Sequence, residues 1–396
     1  MKVIFLSEFM PTVNHAGGGL QHYIARMALA LHHLGDEIWV ICKSKNANYE
    51  QYPYQIVEIQ LTNKEKKLLS CIQIITFHKI DYALMLVFNA WATRRECKKI
   101  RGVDIIQSPN YQSIGLFIKS GHARLVVRAS SYRPLWSRTK GVKITPENKF
   151  TGFLERRLYK RADAVFAPSM HLATILESEV GRSIDVLPSP MPGNEVDENL
   201  DWYEQNLAGR KYLLYFGDMI KRKGIFVLAH ALNEVWKTAP EVYLIMAGPE
   251  KVVNGRSMIA KFFDIVKPNE DKILYVGELD RPTLFPVIKN SWFVVLPSIE
   301  DNCPNTMLEA MSLGKVVLGT LGSSMDEFYP ASCSGLLVPR NDIQRLAEKI
   351  LELWGSSKNQ LDVYGRQCKL FIEDRHTLSK AALSLHNYYV QQMASH

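Results

Sequence analysis

The chain has 396 residues, and 47% of them are hydrophobic, which suits two folded domains and excludes a disordered chain. Its formal net charge is +8 at pH 7, and its six cysteines include no C-x-x-C pair and no metal-ligand spacing. No basic leader followed by an apolar run and a cleavage site opens the sequence, so we expect a cytoplasmic protein with reduced thiols.

The excess of basic residues lies in the first half of the chain. Residues 1–200 carry 26 Lys and Arg against 18 Asp and Glu, whereas residues 201–396 carry 22 of each kind. Twelve basic side chains and only two acidic ones fall within residues 119–161. Such a charge favours a phosphorylated substrate, an acidic lipid surface or a nucleic acid as partner, and a solvated basic face is the alternative.

Short β-branched runs alternate with longer helical stretches through the first 190 residues, which is the pattern of parallel βαβ units. The glycine triplet Gly17-Gly18-Gly19 precedes the first helical stretch, where it allows a phosphate to approach the backbone or simply opens the helix. The triplet lacks the spacing of a dinucleotide fingerprint, and no P-loop sequence occurs, which argues against dehydrogenases and P-loop enzymes. The runs predict strands at residues 3–6, 38–41, 103–106, 125–127 and 164–167.

The longest apolar stretch covers residues 68–91. His78, Lys79 and Asp81 interrupt it, so it does not predict a membrane-spanning helix. We expect a helix buried in the first domain. Because basic residues flank the stretch on both sides, a helix lying on a membrane interface is the alternative.

A proline-rich segment at residues 188–193 and the polar residues up to Gly209 interrupt the βαβ pattern. Two complete α/β series separated by such a break predict two Rossmann-like domains, which we expect to face each other across a cleft, with a boundary near residues 188–210. The second series predicts strands at residues 212–216, 243–246, 273–276, 293–296, 316–319 and 336–338.

Two loops of the second half suit an anionic ligand. Residues 215–224 leave a strand with Lys221, Arg222 and Lys223, where a fixed cation stabilises the charge that develops on a diphosphate leaving group. Residues 297–311 leave another strand and enter a helix, whose free N–H groups and dipole favour phosphate. The loops predict a site for a sugar nucleotide with Lys223 as the first candidate, and solvated cations are the alternative.

Short motifs occur in a fixed order along the chain: Gly17 to Gly19, residues 161–169, Phe216-Gly217, Lys223-Gly224, Ala247-Gly248-Pro249, Val276-Gly277, Leu296-Pro297-Ser298, Asp301 with Glu309-Ala310-Met311, and Gly335 to Pro339. In this order they resemble the retaining GT-B glycosyltransferases of family 4, also called glycosyl transferases group 1. The resemblance covers essentially the whole chain. It implies an acceptor domain at residues 1–190, a nucleotide-sugar domain at residues 210–375, and a final helix in residues 376–396 that packs back on the first domain.

The resemblance also implies roles for single residues. Two acids separated by seven residues fall on Asp301, expected to address the transferred sugar, and Glu309, expected to bind the ribose hydroxyls. Asp301 stands where glutamate is more usual. Because Thr306-x-x-Glu309 also fits a capping box, Glu309 has the alternative role of satisfying a helix end.

The candidate site residues fall into three groups. The catalytic candidates are Lys223 and Asp301. The acceptor candidates are Arg128, Ser130, Ser131 and Arg133, within a segment at residues 128–136 that combines cations with aromatic side chains, and a structural loop is the alternative. No metal and no cofactor besides the donor substrate are expected. The donor candidates are Gly18, Gly19, Arg222, Lys223, Val276, Gly277, Asp301, Cys303, Pro304, Asn305, Thr306 and Glu309.

The resemblance implies a retaining hexosyltransferase that moves a sugar from a nucleotide-sugar donor to an acceptor hydroxyl. We expect a glycan, small-molecule or lipid-linked acceptor that is anionic or presented at the inner face of a membrane, and no nucleic-acid partner. Two departures from the family pattern are Asp218, where an arginine is common, and Ser130, where a histidine is common. The alternatives are a nucleotide-sugar epimerase and a catalytically silent binding protein of the same fold.

Overall fold

The computed structural model describes residues 1–11, 18–43, 49–119, 121–132, 145–191, 193 and 197–394. The chain divides into two compact units. The first unit contains Met1–Pro190 together with Leu378–His396, and the second contains Met191–Thr377. The chain therefore passes between the units twice, once after Pro190 and once after Thr377.

The first unit is built on a seven-stranded parallel sheet in the order β3-β2-β1-β4-β5-β6-β7. Its strands pair in parallel because helical crossovers connect most of them, as the βαβ pattern predicts. The strands are β1 Lys2–Leu6, β2 Glu37–Lys43, β3 Gln55–Ile59, β4 Ile105–Pro109, β5 Arg124–Arg128, β6 Ala164–Ala167 and β7 Asp185–Val186. The helices are α1 Gly19–His33, α2 Asn63–Ile75, α3 Asp81–Cys97, α4 Pro146–Arg161 and α5 Met170–Val180, with a 3-10 turn at Tyr111–Ser113.

The second unit is built on a six-stranded parallel sheet in the order β12-β9-β8-β13-β14-β15, and a short antiparallel hairpin accompanies it. The sheet strands are β8 Leu213–Phe216, β9 Leu244–Ala247, β12 Ile273–Gly277, β13 Phe293–Val295, β14 Val317–Leu321 and β15 Leu337–Pro339, and the hairpin strands are β10 Val252–Val253 and β11 Arg256–Ser257. The helices are α6 Asp201–Asn206, α7 Ile225–Val235, α8 Met258–Val266, α9 Arg281–Asn290, α10 Asn305–Ser312, α11 Ile343–Gly355 and α12 Lys358–Arg375. Short 3-10 helices lie at Lys221–Lys223, Lys267–Lys272, Ser324–Phe328 and Ala331–Leu336.

The last helix, α13 Leu378–Ala394, packs on the first unit. Its apolar face joins the core between α1 and the sheet, where Leu385 and Tyr389 are buried. The Tyr389 hydroxyl donates a hydrogen bond of 2.5 Å to the buried side chain of Gln107 in β4. Residues from the far end of the chain thus complete the core of the first unit.

The apolar stretch at residues 68–91 is not the single buried helix that its composition predicts. It forms the end of α2, a turn at residues 76–80 and most of α3, because polar residues interrupt the apolar run at the turn. Ile74, Ile75 and Phe77 are exposed at this turn. Within the described part of the chain, no helix has the length and apolar character needed to cross a bilayer.

Candidate active site

The candidate donor site lies at the carboxyl edge of the second sheet. From β8 the chain builds outward to β9 and β12, and it then returns to place β13 on the other side of β8. The strand order therefore reverses between β8 and β13. The loops that follow these two neighbouring strands lie at the reversal point, which is where open α/β sheets bind ligands. These loops contain the cationic residues 221–223 and the segment that begins with Pro297.

Close backbone packing fixes these two loops against each other. Gly224 has φ of 78°, and a Cβ atom there would lie 1.8 Å from the carbonyl oxygen of Pro297, so only glycine fits. The Ile299 N–H donates to the Arg222 carbonyl at 2.9 Å, and Arg222 Nη1 donates to the Glu300 carbonyl at 2.8 Å. The loop that carries Lys223 is thus held against the loop that carries Asp301.

Two further glycines bring the end of β8 close to α10. A Cβ atom on Gly248 would lie 2.0 Å from the Gly217 carbonyl oxygen, and a Cβ atom on Gly217 would lie 3.2 Å from Cγ2 of Thr306. Helix α10 begins at Asn305 after Pro304, which supplies no side-chain cap. The first-turn N–H groups of Thr306 and Met307 have no intrahelical partner, so this helix end favours an anion. Half-buried Cys303 lies beside it, with Sγ 3.7 Å from Oδ1 of Asn305.

The two catalytic candidates form an ion pair. Nζ of Lys223 donates to Oδ2 of Asp301 at 2.5 Å, and the N–H of Asn302 donates to Oδ1 of the same carboxylate at 3.0 Å. Burial opposes ionisation of this carboxyl, but the charges of Lys223 and Arg222 outweigh it and lower the pKa of Asp301 below its ordinary value. Asp301 is therefore a carboxylate at neutral pH, held ready to accept hydrogen bonds.

Glu309 makes an ion pair rather than a helix cap. Nε and Nη2 of Arg281 donate to its Oε1 at 3.0 and 2.6 Å, and the carboxylate is largely buried. Since Pro304 rather than Thr306 occupies the N-cap position of α10, the capping-box alternative is wrong. Arg281 bonds to one carboxylate oxygen, and no hydrogen bond within the described part of the chain reaches Oε2. Arg281 was not a sequence candidate, because it lies 28 residues before its partner and outside every motif.

Asp218 has a basic neighbour that the sequence analysis missed. Nζ of Lys251 lies 3.2 Å from Oδ1 of Asp218, and both side chains are exposed. The loop after β9 reaches this position because the Met219 N–H donates to the Pro249 carbonyl at 3.3 Å. Lys251 follows the Gly248-Pro249 motif by two residues, and that adjacency was the signal that could have identified it.

Val276 and Gly277 lie at the end of β12, two strands away from β8 on the same edge. Gly277 has φ of 70°, and its carbonyl accepts a hydrogen bond of 2.6 Å from the Gly248 N–H. A third missed cation, Arg340, donates from Nη1 to Oε2 of Glu300 at 3.1 Å. Among the residues that the structure describes, no group of three or more His, Cys, Asp or Glu side chains is arranged to hold a metal ion.

The acceptor candidates lie at the end of β5 in the first unit. Arg128 is buried with its guanidinium 3.7 Å from the centre of the Tyr23 ring, and Nη2 donates to Ser189 at 2.9 Å. Its Nε has no hydrogen-bond partner among the described residues. A buried guanidinium with an unsatisfied N–H is suited to an anionic ligand.

Ser130 and Ser131 are held by Asn110, which follows β4 and was not a sequence candidate. The N–H and hydroxyl of Ser130 donate to Asn110 Oδ1 at 2.9 and 3.2 Å, and Asn110 Nδ2 donates to the Ser131 carbonyl at 2.5 Å. Arg133 and the rest of the acceptor segment to residue 136 lie outside the described residues.

Gly18 and Gly19 open α1 in the first unit, whereas the other donor candidates all belong to the second unit. The Gly18 N–H donates to Oε1 of Gln21 at 3.1 Å, which satisfies one N–H at the helix entry. Gly17 lies outside the described residues.

The chain is similar to known glycosyltransferases in sequence and in fold. The family model described as Glycosyl transferases group 1 matches residues 210–356, and the one described as Glycosyltransferase Family 4 matches residues 17–191. An uncharacterized glycosyltransferase of Methanocaldococcus jannaschii is 21% identical over 247 residues, which cover 59% of this chain and only 61% of that relative.

Two solved structures have the same fold. A sucrose-phosphate synthase from Thermosynechococcus elongatus matches with a TM-score of 0.78 at 17% identity, covering 100% of both chains. Anabaena HepE, in complex with UDP and glucose, matches with a TM-score of 0.71 at 14% identity, covering 99% of this chain and 100% of that one. The expected fold class is confirmed, and the chain belongs to the group 1 glycosyltransferases of the GT-B fold.

Proposed function

We propose that this protein transfers a sugar from a nucleoside diphosphate sugar to an acceptor hydroxyl with retention at the anomeric carbon. The observation that carries the proposal is the group at the carboxyl edge of the second sheet, where Lys223, Asp301 and the start of α10 lie on loops held together by Gly224. It combines a cation, a carboxylate and free N–H groups, which suit a diphosphate and a sugar. The similar HepE structure contains UDP and glucose, which is compatible with this assignment.

In the proposed reaction, the bond between the anomeric carbon and the donor β-phosphate oxygen breaks, and its electron pair stays on that oxygen. The acceptor oxygen forms the new bond on the same face of the sugar. Its proton passes to the leaving phosphate. Lys223 and the N–H groups at the start of α10 stabilise the charge that develops on the phosphate, and this is where positive charge lowers the barrier most.

The ion pair of the free protein suggests how the donor is received. Lys223 turns from Asp301 to the diphosphate, and sugar hydroxyls donate to Asp301 in its place. Glu309 accepts a ribose hydroxyl at Oε2 while Arg281 holds Oε1 in position. In this proposal the positive charge of Lys223 and Arg222 makes a metal unnecessary.

The acceptor is proposed to bind the first unit near Arg128, whose buried guanidinium and unsatisfied Nε favour an anionic group. Substituting Arg128 by Met should raise KM for a phosphorylated acceptor more than tenfold, because a charge-assisted hydrogen bond is lost. An unchanged KM would exclude Arg128 from the acceptor site.

A donor screen with a matched pair of lysine variants tests the reaction. The wild type is incubated with uridine, guanosine and adenosine diphosphate sugars and a set of acceptors, and NMR assigns the anomeric configuration of the product. Lys223→Ala should lower kcat by about 100-fold or more, the usual effect of removing one charge-stabilising donor. Lys221→Ala removes an exposed lysine two residues away and should leave kcat within about twofold. An undiminished kcat in Lys223→Ala, or an inverted product, would refute the mechanism.

The same screen separates the alternatives. Conversion of a donor into another nucleotide sugar without any acceptor would identify an epimerase. Absence of nucleoside diphosphate binding in calorimetry would identify a silent protein. The Asp218–Lys251 contact weakens the silent alternative, because the carboxylate that motivated it has a cation beside it.

A further inference from the structure

The helical hairpin formed by α2, the turn at residues 76–80 and α3 has an apolar tip exposed to solvent. The exposed fractions of Ile74, Ile75 and Phe77 are 67%, 73% and 79%. Leu68, about two turns before Ile75 on the same side of α2, is also exposed. Phe77 is the most exposed of the large apolar residues in the described part of the chain. Neighbouring apolar side chains exposed in this way usually mark an interaction surface.

The backbone holds this tip in a fixed shape. Phe77 and His78 have φ of 48° and 57°, a left-handed conformation that is costly for residues other than glycine. His78 Nδ1 and Asp81 Oδ2 are 2.6 Å apart, which ties the turn to the first residue of α3. The exposed phenyl ring therefore belongs to an ordered turn rather than to a frayed helix end.

The flanks of the hairpin carry unpaired positive charge. Residues 63–99 contain eight Lys and Arg against three acids. All three acids already have partners: Glu65 pairs with Arg95, Glu96 with Arg95 and Lys99, and Asp81 with His78. The described residues place no carboxylate within ion-pair distance of the remaining six cations of the hairpin, which are Lys64, Lys66, Lys67, Lys79, Arg94 and Lys98.

A groove between the start of α2 and the end of α3, at the end of the hairpin opposite the tip, also combines apolar and basic side chains. It encloses about 480 Å³, and Lys64, Arg94 and Lys98 lie around an apolar wall formed by Leu68 and Trp91. Glu65 also lines the groove, where it is paired with Arg95. Such a groove can hold a phosphate against the cations and the adjoining glycerol or acyl carbons against the indole ring, and tryptophan is favoured at membrane interfaces for this reason.

We propose that this hairpin docks the protein on the surface of an anionic lipid bilayer. The hairpin lies along the surface, because most of its unpaired cations are near the start of α2 and the end of α3, up to about 18 Å from the tip. In this orientation the apolar tip enters the boundary between head groups and acyl chains, while the cations contact lipid phosphates. A second copy of the chain is a poorer occupant, because its hairpin brings the same positive charge. The proposal concerns binding alone and stands independently of the transferase reaction.

Vesicle flotation tests the proposal with the full-length protein. The wild type should float with vesicles of phosphatidylcholine and phosphatidylglycerol, bind pure phosphatidylcholine at least about tenfold more weakly, and be released by high salt. Near an anionic surface each cation contributes about fivefold in affinity, so replacing Lys64, Arg94 and Lys98 by Gln should weaken binding about 100-fold. Ile75→Ser combined with Phe77→Ser should weaken it about tenfold or more.

Matched substitutions on the second unit provide the control. Leu370 has an exposed fraction of 66% and Lys358 is exposed, so Leu370→Ser combined with Lys358→Gln changes a similar apolar residue and a similar cation elsewhere. This variant should float like the wild type. Circular dichroism and thermal unfolding verify that every variant is folded. Equal flotation of all variants would overturn the proposal, and so would equal binding to neutral and anionic vesicles. So would light scattering showing that the hairpin substitutions dissociate a dimer while vesicles are not bound.

Discussion

Gly224 offers the sharpest test of how the candidate site is held together. Substituting it by Ala adds one methyl group at a position with φ of 78°, directly against the carbonyl oxygen of Pro297. Gly255 provides a matched control, because it has a similar φ of 74° and open space where a Cβ atom would lie. The two substitutions therefore share the conformational cost, and only Gly224→Ala adds the steric clash.

The expected magnitudes follow from the two geometries. Placing alanine in the left-handed region costs about 1 kcal/mol, which is the whole expected effect at Gly255. At Gly224 the Cβ atom would be 1.8 Å from the Pro297 oxygen, far inside ordinary contact distance, so the two loops must separate by more than about 1 Å. Such overpacking adds about 2–3 kcal/mol, so the total loss of stability should be about 3–4 kcal/mol.

Urea denaturation of both variants and calorimetric titration with nucleoside diphosphates measure the effect. Separation of the loops displaces Lys223 from Asp301, so Gly224→Ala should also bind the nucleotide at least about tenfold more weakly, whereas Gly255→Ala should bind it normally. Equal free energies of unfolding for the two variants would refute the argument that close backbone approach, rather than φ alone, requires glycine at position 224.

Three further substitutions address charges and the last helix. Asp301→Asn should lower the free energy of unfolding by about 3 kcal/mol at pH 7 in urea. Because the pKa of the native carboxyl is lowered, that difference should begin to decrease below about pH 4 and vanish only when the pH is below the lowered native pKa. A pH-independent difference would contradict the ion-pair argument. Burial lowers the pKa of Lys315 to about 8, so between pH 8 and about 10.5 the native state loses this proton while the unfolded state keeps it. The free energy of unfolding, measured relative to Lys315→Met, should therefore rise by about 3 kcal/mol over this range. A difference between the two proteins that does not change with pH would exclude a buried ammonium. Tyr389→Phe leaves Gln107 without its hydrogen-bond partner and should lower the free energy of unfolding by about 1–3 kcal/mol. The Tyr388 hydroxyl donates to exposed Asp185, so Tyr388→Phe should lower it by less. The reverse order would argue against the buried hydrogen bond.

The strands were largely predictable because each is a short apolar run bounded by turn residues. Every predicted strand overlaps an observed one, although the run at residues 103–106 begins two residues before β4. The prediction missed β3, in which Gln55 and Glu58 dilute the apolar signal, and it missed β7, β10 and β11, which have only two residues each. None of the four has a run long enough to be distinguished from a loop, and only pairing with a neighbouring strand reveals them.

Residues of the candidate site could be predicted from the sequence where they belong to a motif. They could not be predicted where residues distant in sequence come into contact. Lys223 and Asp301 were expected at the same edge of the sheet because each follows a strand, and the structure brings the two side chains together. Arg281 and Lys251 were missed because each reaches its partner only through tertiary structure, over 28 residues in the case of Arg281. The exposed tip at Phe77 was missed for a related reason, since composition alone does not show which side of a helix lacks a neighbour.

The position of α13 has a consequence for biosynthesis. Its side chains fill part of the core beneath β1 and β4, yet they leave the ribosome only after all of Met191–Thr377 has been made. At a synthesis rate of about 5–20 residues per second, α13 is made on the order of 10–40 s after the rest of the first unit. During this time the apolar surface that α13 covers stays exposed. The second unit has no such delay, so it should be the first to finish folding, and a nascent chain stalled before α13 should bind chaperones through its N-terminal half.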